Sequence, residues 1–263
     1  MSSLTPSSVL LAFVMGLLPP RSSSAQRPDT LIARPGTGVV KGLLVAPARR
    51  EFRVISLPCE VDTATVAHDH GSLVEQTRLV GDTTLLAIRE WRWTDRPRVS
   101  DTTSYERSTL APLWNHAHSQ SWSASWEVHG PHAAFVSQQP GGARESVDST
   151  IEEPAFLAGS THLLISVTPR LYAPGVLVRF SLLDLVQEPG ERPSFAVHRA
   201  NARVTGSETV TVSARRIEAW VVTVDEPPGG RTYWIDKDSH EVLMWRVPGY
   251  ESVCPEKYVR SWP

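Results

Sequence analysis

The chain holds only two cysteines and three methionines in 263 residues, and its acids and bases nearly cancel, leaving a formal charge of −2. So few thiols exclude a cysteine-rich zinc module and a disulfide-dense scaffold. Mixed charge near neutrality excludes a broad nucleic-acid or anionic-membrane surface and points to no charged partner. After residue 25 no apolar run approaches the roughly 20 residues of a membrane-spanning helix, so the mature chain is expected to lack a transmembrane segment. The hydrolase elbow G-x-S-x-G, the phosphate loop G-x-x-x-x-G-K-[ST] and the dinucleotide fingerprint are also missing, which removes the usual handles for acyl-transfer and nucleotide chemistry. No stretch of 20–50 residues repeats, which argues against a solenoid or propeller.

What is present begins with residues 1–25, which have the pattern of a secretory signal peptide. An apolar run from Val9 to Leu18 precedes small residues Ser23 and Ala25, placed for a cut before Gln26. Met1 to Ser8 carries no Lys or Arg, which is unusual for such a signal and leaves an uncleaved anchor as the alternative. Export to the periplasm or the extracellular space is therefore expected. In that oxidising setting Cys59 and Cys254, which lack metal-ligand spacing, are expected to pair as a disulfide, with two buried free thiols as the alternative. Residues 26–38, rich in Pro, Gly and Arg, read as a flexible leader, and 39–263 as a single β-rich domain.

From Val39 onward short apolar or alternating runs recur at intervals of roughly ten residues, the pattern of a large antiparallel sheet or barrel. Strands are predicted over 42–46, 52–57, 73–80, 83–93, 102–107, 121–128, 132–137, 176–186, 195–204 and 208–212, with a hairpin turn at Gly81-Asp82. A meander closes the series: Ile217 to Val224, Thr232 to Asp236 and Glu241 to Val247, separated by Pro227-Pro228-Gly229-Gly230 and Lys237-Asp238-Ser239-His240. One helix is predicted over about 155–168, where Phe156, Leu157, Leu163, Leu164 and Val167 share a broad face before Pro169. The fold class is mainly β: a curved antiparallel sheet or incomplete β-barrel with one covering helix.

Residues that bear chemistry offer little that converges. His68 with His70 and His116 with His118 are two apart, so each pair shares a face if it lies in a strand, with His129 and His132 nearby. Their sequence contexts read as turns or polar connectors, so solvated side chains are expected and no metal site is assigned. His240-Glu241 opens like a zinc-protease helix, but Met244 stands where the second His belongs. The acids Glu152-Glu153, Glu188 with Glu191, and Asp236 with Asp238 read as turn and surface groups, so no catalytic residue and no cofactor is assigned. The nine tryptophans say more. Trp91, Trp93, Trp122, Trp126, Trp220, Trp234 and Trp245 fall in predicted strands. Most should pack in the core, while on the concave face of an incompletely closed sheet Trp91, Trp93, Trp220, Trp234 and Trp245 are candidates to line a site for a hydrophobic ligand.

The segment from about 101 to 247 resembles the DUF3108-like exported bacterial proteins of unknown function, which are similar to the lipoprotein-carrier and outer-membrane lipoprotein-sorting fold. The resemblance rests on Thr109-Leu110-Ala111-Pro112, the helix ending at Thr168-Pro169, Gly206-Ser207-Glu208, Ala219-Trp220-Val221-Val222, and Thr232-Tyr233-Trp234-Ile235-Asp236-Lys237 leading to Val242-Leu243. It implies a half-barrel covered by a helix, a concave face able to hold an acyl chain, and no catalytic residues to carry over. Residues 26–93 extend beyond the match and either complete the same barrel, letting Cys59 reach Cys254, or form a second small sheet. A non-enzymatic envelope protein that binds a lipid or other hydrophobic molecule is the expected function. A structural or interaction module of the envelope is the alternative, with a metal-dependent hydrolase behind it.

Overall fold

The computed structural model describes residues 29–58, 67–139, 141–142, 144–186, 194–227, 229–249 and 255–261, apart from the His68 side chain. The expected signal peptide and both cysteines lie outside the described residues. Two antiparallel meanders build the molecule. The first comprises β2 (Ala48–Ser56), β3 (His68–Val80), β4 (Thr84–Trp93), β5 (Val99–Glu106), β6 (Pro112–Ser119), β7 (Ser123–His129), β8 (His132–Gln138) and β9 (Arg144–Thr150). The second comprises β11 (Val176–Val186), β12 (Ser194–Val212), β13 (Arg215–Asp225), β14 (Arg231–Asp236), β15 (Val242–Val247) and β16 (Glu256–Ser261). They meet where β16 pairs antiparallel with β2, from Glu256 opposite Ser56 to Ser261 opposite Glu51, so that one 16-stranded sheet results. The N-terminal strands thus join the main sheet.

Asp29–Ala33 form β1, parallel to β11, with Leu31 opposite Val178 and Ala33 opposite Phe180. This corrects the reading of 26–38 as a flexible leader: Leu31 packs on the core and Ala33 is fully buried in it, so the segment is held by apolar burial as well as by the ladder. Four strands have little apolar signal and escape a pattern reading: β1, β6, β9 and the terminal β16. The expected strand over 42–46 is instead a 3₁₀ turn at Gly42–Leu44, where any Cβ on Gly42 would stand 2.2 Å from the Arg107 carbonyl oxygen.

The expected helix is also shorter than predicted. Phe156–Leu157 form β10, parallel to part of β11; a 3₁₀ turn covers Ala158–Ser160; and α1 spans only Thr161–Ser166 before a second 3₁₀ turn at Pro169–Tyr172. Helical periodicity in this stretch reflects burial on several sides. Leu163, Leu164 and Ile165 of α1 join Phe156, Val167 and Leu171 in one core with Phe52, Val54, Leu73 and Leu85 of the first meander and Phe180, Val222 and Tyr233 of the second. The helical segment fills the interior of the curled sheet.

Strand alternation sets the two faces. Leu73, Leu85, Tyr105, Val178, Val222, Tyr233 and Tyr258 share the inner face with the core. Two irregularities change its course. Gly71, with φ +148°, sits where β2 shifts register between Val54 and Ile55, and a Cβ there would meet the Arg92 carbonyl oxygen at 2.2 Å. The predicted break between 204 and 208 is a bulge at Val204/Gly206 within a single 19-residue strand, β12. Beyond it Val210 and Val212 pack with Leu243, Met244 and Ala219 in a cluster separate from the main core. The β7–β9 end meets β11 and β12 where Ala133, Ile151 and Ala155 pack with Leu183, Phe195 and Val197, so the sheet curls back on itself.

If α1 anchors the interior, Leu164→Ala, a deletion at a fully buried position, is expected to cost about 2–5 kcal/mol by urea denaturation.

Candidate functional site

A cleft of about 480 Å³ lies on the inner face between β3–β5 and β14–β16, with α1 on one side. Its apolar lining is Leu73, Trp91, Trp245, Val247, Pro248 and Tyr258. Trp245 stacks on Tyr258 with ring centres 4.4 Å apart and planes 5° from parallel, while Phe52 meets it edge-on at 4.7 Å. Tyr258 donates its hydroxyl hydrogen to Glu256 at 2.7 Å. Burial, reinforced by that carboxylate, raises the Tyr258 pKa.

Charged side chains stand among these rings because several strands carry them in the inward phase. On β4 the series Leu85, Ala87, Arg89, Trp91 places a guanidinium under the cleft. Arg89 grips Asp101 of β5 through Nη2 at 2.7 Å and Nε at 3.2 Å, and donates through Nη1 to the Gly159 carbonyl at 2.6 Å. Gly159 permits that approach, since a Cβ there would lie 3.3 Å from both terminal nitrogens. Burial alone would lower the Arg89 pKa, but Asp101, Tyr105 and Glu75 together outweigh it, so the pKa is raised and the group stays cationic. At the other wall Arg231 Nε stands 3.0 Å from Glu226 Oε1, a charge contact without hydrogen-bond geometry, while Thr161 donates to Glu226 Oε2 at 2.9 Å. Burial raises the Glu226 pKa against the pull of Arg231.

The floor is ionic. His162 Nε2 lies 2.5 Å from Glu75 Oε2, and Arg50 Nη1 lies 3.8 Å from Glu75 Oε1. Arg50 also donates to Glu241 at 3.0 Å, and Arg260 stands 3.4 Å from the same carboxylate. Glu241 thereby ties an arginine of β2 to one of β16. Burial of Glu75 would raise its pKa, but His162, Arg50 and Arg89 together bring it from the ordinary 4.5 to about 2. An ionised Glu75 only accepts, so His162 Nε2 carries the proton between them.

Of the five tryptophans expected on the concave face, Trp91 and Trp245 line the cleft. Trp93 does not line the cleft and packs against His70, with Arg96 4.4 Å over its ring. Trp220 faces Tyr172 at 6.4 Å and Lys237 at 4.8 Å, away from the cleft. Trp234 belongs to the separate cluster with Leu243 and Met244, and its indole N–H donates to Glu208. The alternation that pairs Tyr233 with the inner face forces Trp234 to the other.

His116 and His118 lie exposed on β6, with ring centres 5.7 Å apart. His129 and His132 oppose each other across the β7–β8 hairpin, and His240 stacks on Tyr172 at 4.4 Å. Among the described residues no group of three or more His, Cys, Asp and Glu is close enough to hold a metal ion. The side chains that shape the cleft, Glu75, Arg89, Asp101, His162, Arg231 and Tyr258, were not singled out from sequence. On the strands their signal was a polar residue in the apolar phase, as in Leu73-x-Glu75-x-Thr77, whereas His162 lies on α1 and carried no such signal.

Fold and site together define a mainly β, barrel-like protein with a short internal helix and an aromatic cleft. The crystal structure of a beta-barrel-like protein of domain of unknown function DUF1849 from Brucella abortus is similar, with a TM-score of 0.52 over 84% of this chain and 97% of that one, at 8% identity. At that identity the likeness speaks for the fold alone. No family model and no curated protein matches the chain. The barrel-like fold implied by the sequence resemblance is therefore shown, while the link to DUF3108-like or lipoprotein-carrier proteins has no support from these comparisons. No helix among the described residues is long and apolar enough to cross a membrane.

Because folded Glu75 titrates near 2 instead of 4.5, its stabilising contribution is complete above pH 4.5 and is lost as pH falls toward 2. Urea melts at fixed pH are expected to show stability falling over that window, and falling less steeply in Glu75→Gln.

Proposed function

We propose that this is an exported, non-enzymatic binding protein whose cleft holds a lipid or another hydrophobic molecule with a polar end. The observation that carries the reading is the aromatic cleft itself. Trp91, Trp245, Tyr258, Leu73, Val247 and Pro248 offer an apolar wall, and the neighbouring charges are mutually engaged: Arg89 with Asp101, Arg231 with Glu226, His162 with Glu75. Paired charges hold the walls in place and leave the apolar surface to supply affinity. The volume of about 480 Å³ falls within the 300–1,000 Å³ range typical of small-molecule sites.

Export is part of the proposal and rests on the signal-peptide pattern of residues 1–25 and on the resemblance to exported DUF3108-like proteins. A disulfide between Cys59 and Cys254 accords with it. Leu57 N–H donates to the Pro255 carbonyl at 2.8 Å, so residues two before one cysteine and one after the other are hydrogen-bonded neighbours.

Solvent extraction of natively purified protein followed by mass spectrometry is expected to release a bound amphiphile. Native mass spectrometry of delipidated protein with added phospholipid is expected to show a one-to-one complex. Trp91→Ala is expected to weaken that complex roughly tenfold, about 1.4 kcal/mol, measured at a temperature where circular dichroism shows the variant folded. Failure of every lipid to bind would remove the proposal. Peptide mapping of the exported protein without reductant is expected to begin at Gln26 and to yield one Cys59–Cys254 peptide; two alkylated thiols would rule out the bridge.

A further inference from the structure

On the far side of α1 lies a second cavity of about 250 Å³, lined by apolar Phe52, Leu163, Val167 and Val242 and by charged Arg50 and Glu75, among others. Strand direction places the two cavities in line. The cleft reaches Arg231 at the start of β14 and extends to Gly229 and Pro248. The second cavity borders Ser239, His240 and Glu241, in the turn that follows the other end of β14. His162 is the only described residue that lines both.

We propose that His162 is the stop that divides one ligand path into two compartments and sets the length of apolar chain the cleft accepts. This rests on the ligand-binding reading above. Two contacts fix the imidazole across the path. Nε2 is hydrogen-bonded to Glu75 at 2.5 Å, and the ring lies 15° from parallel to Trp245 with centres 5.9 Å apart. Phe52 of the second cavity touches that same Trp245 edge-on, so the partition continues from His162 through Trp245 to Phe52. The stop is polar on one edge and backed by Arg50, so a terminal methyl arriving from the cleft meets an ionic floor and gains nothing by pressing further. Removing the imidazole opens the second compartment, whose lining combines Leu163, Val167 and Val242 with Arg50, Glu75 and Glu241, and a longer chain can extend along its apolar residues.

The test is displacement of a fluorescent fatty acid from delipidated protein by saturated fatty acids of eight to eighteen carbons. Each buried methylene is worth about fourfold in affinity. In the parent protein the gain is expected to stop at the length that reaches His162. His162→Ala is expected to carry it several methylenes further. His162→Phe, of similar bulk without the hydrogen bond, is expected to keep the parent limit. His162→Asn is shorter yet still able to donate to Glu75; it is expected to extend the limit and serves if the alanine variant does not fold. The proposal is overturned if Ala and Asn keep the parent break point, or if Phe lengthens it as Ala does. If no fatty acid displaces the probe from the parent protein, the ligand-binding reading fails and this one with it.

Discussion

The pairing of β16 with β2 holds this molecule together. Each meander alone is a strip of antiparallel hairpins with an unpaired edge at Ala48–Ser56 or at Glu256–Ser261. Backbone groups at such edges must be satisfied by a partner strand or by water. Joining the edges produces a sheet wide enough to curl around α1, and it brings Arg50 and Arg260 onto one carboxylate, Glu241. The cleft depends on the same junction, since Trp91 and Leu73 come from the first meander and Trp245 and Tyr258 from the second.

Charge inside the curled sheet follows from that arrangement. A wholly apolar lining would let the interior collapse around α1. Inward-facing Arg89, Asp101, Glu75 and Arg231 instead resist close packing, because each buried ion must keep its partner. Their pairs hold the walls apart at fixed separations, and the aromatic rings lie between them. Relative to an apolar replacement such buried pairs add little net stability, although breaking one is costly; what they confer is a defined shape.

The sequence showed the fold more clearly than it showed the site. Strands with a strong apolar alternation, such as Val176–Val186 and Thr84–Trp93, were legible almost to their ends, and so was the closing meander. Strands such as Arg144–Thr150 and Pro112–Ser119 were not, because one face meets water and the other is only lightly covered. The bulge at Val204/Gly206 looked like a turn because Thr-Gly-Ser composition serves both. At the site, the tryptophans pointed to the right kind of surface, but alternation alone could not say which face was inner, and Trp234 proved to lie on the other one. Glu75 and His162 lie 87 residues apart, and nothing local in the chain announces their meeting.

The parallel pairing of β1 with β11 bears on how the chain assembles. The first described strand cannot be seated until about 150 further residues have been made, and β2 waits longer still for β16. Local hairpins form early, but the contacts that close the sheet are among the most distant in sequence, an ordering that slows folding and leaves edges exposed meanwhile. A protein built this way is most vulnerable to unwanted strand pairing until β16 arrives, so the interval between emergence of β2 and docking of β16 is where a folding helper would matter most.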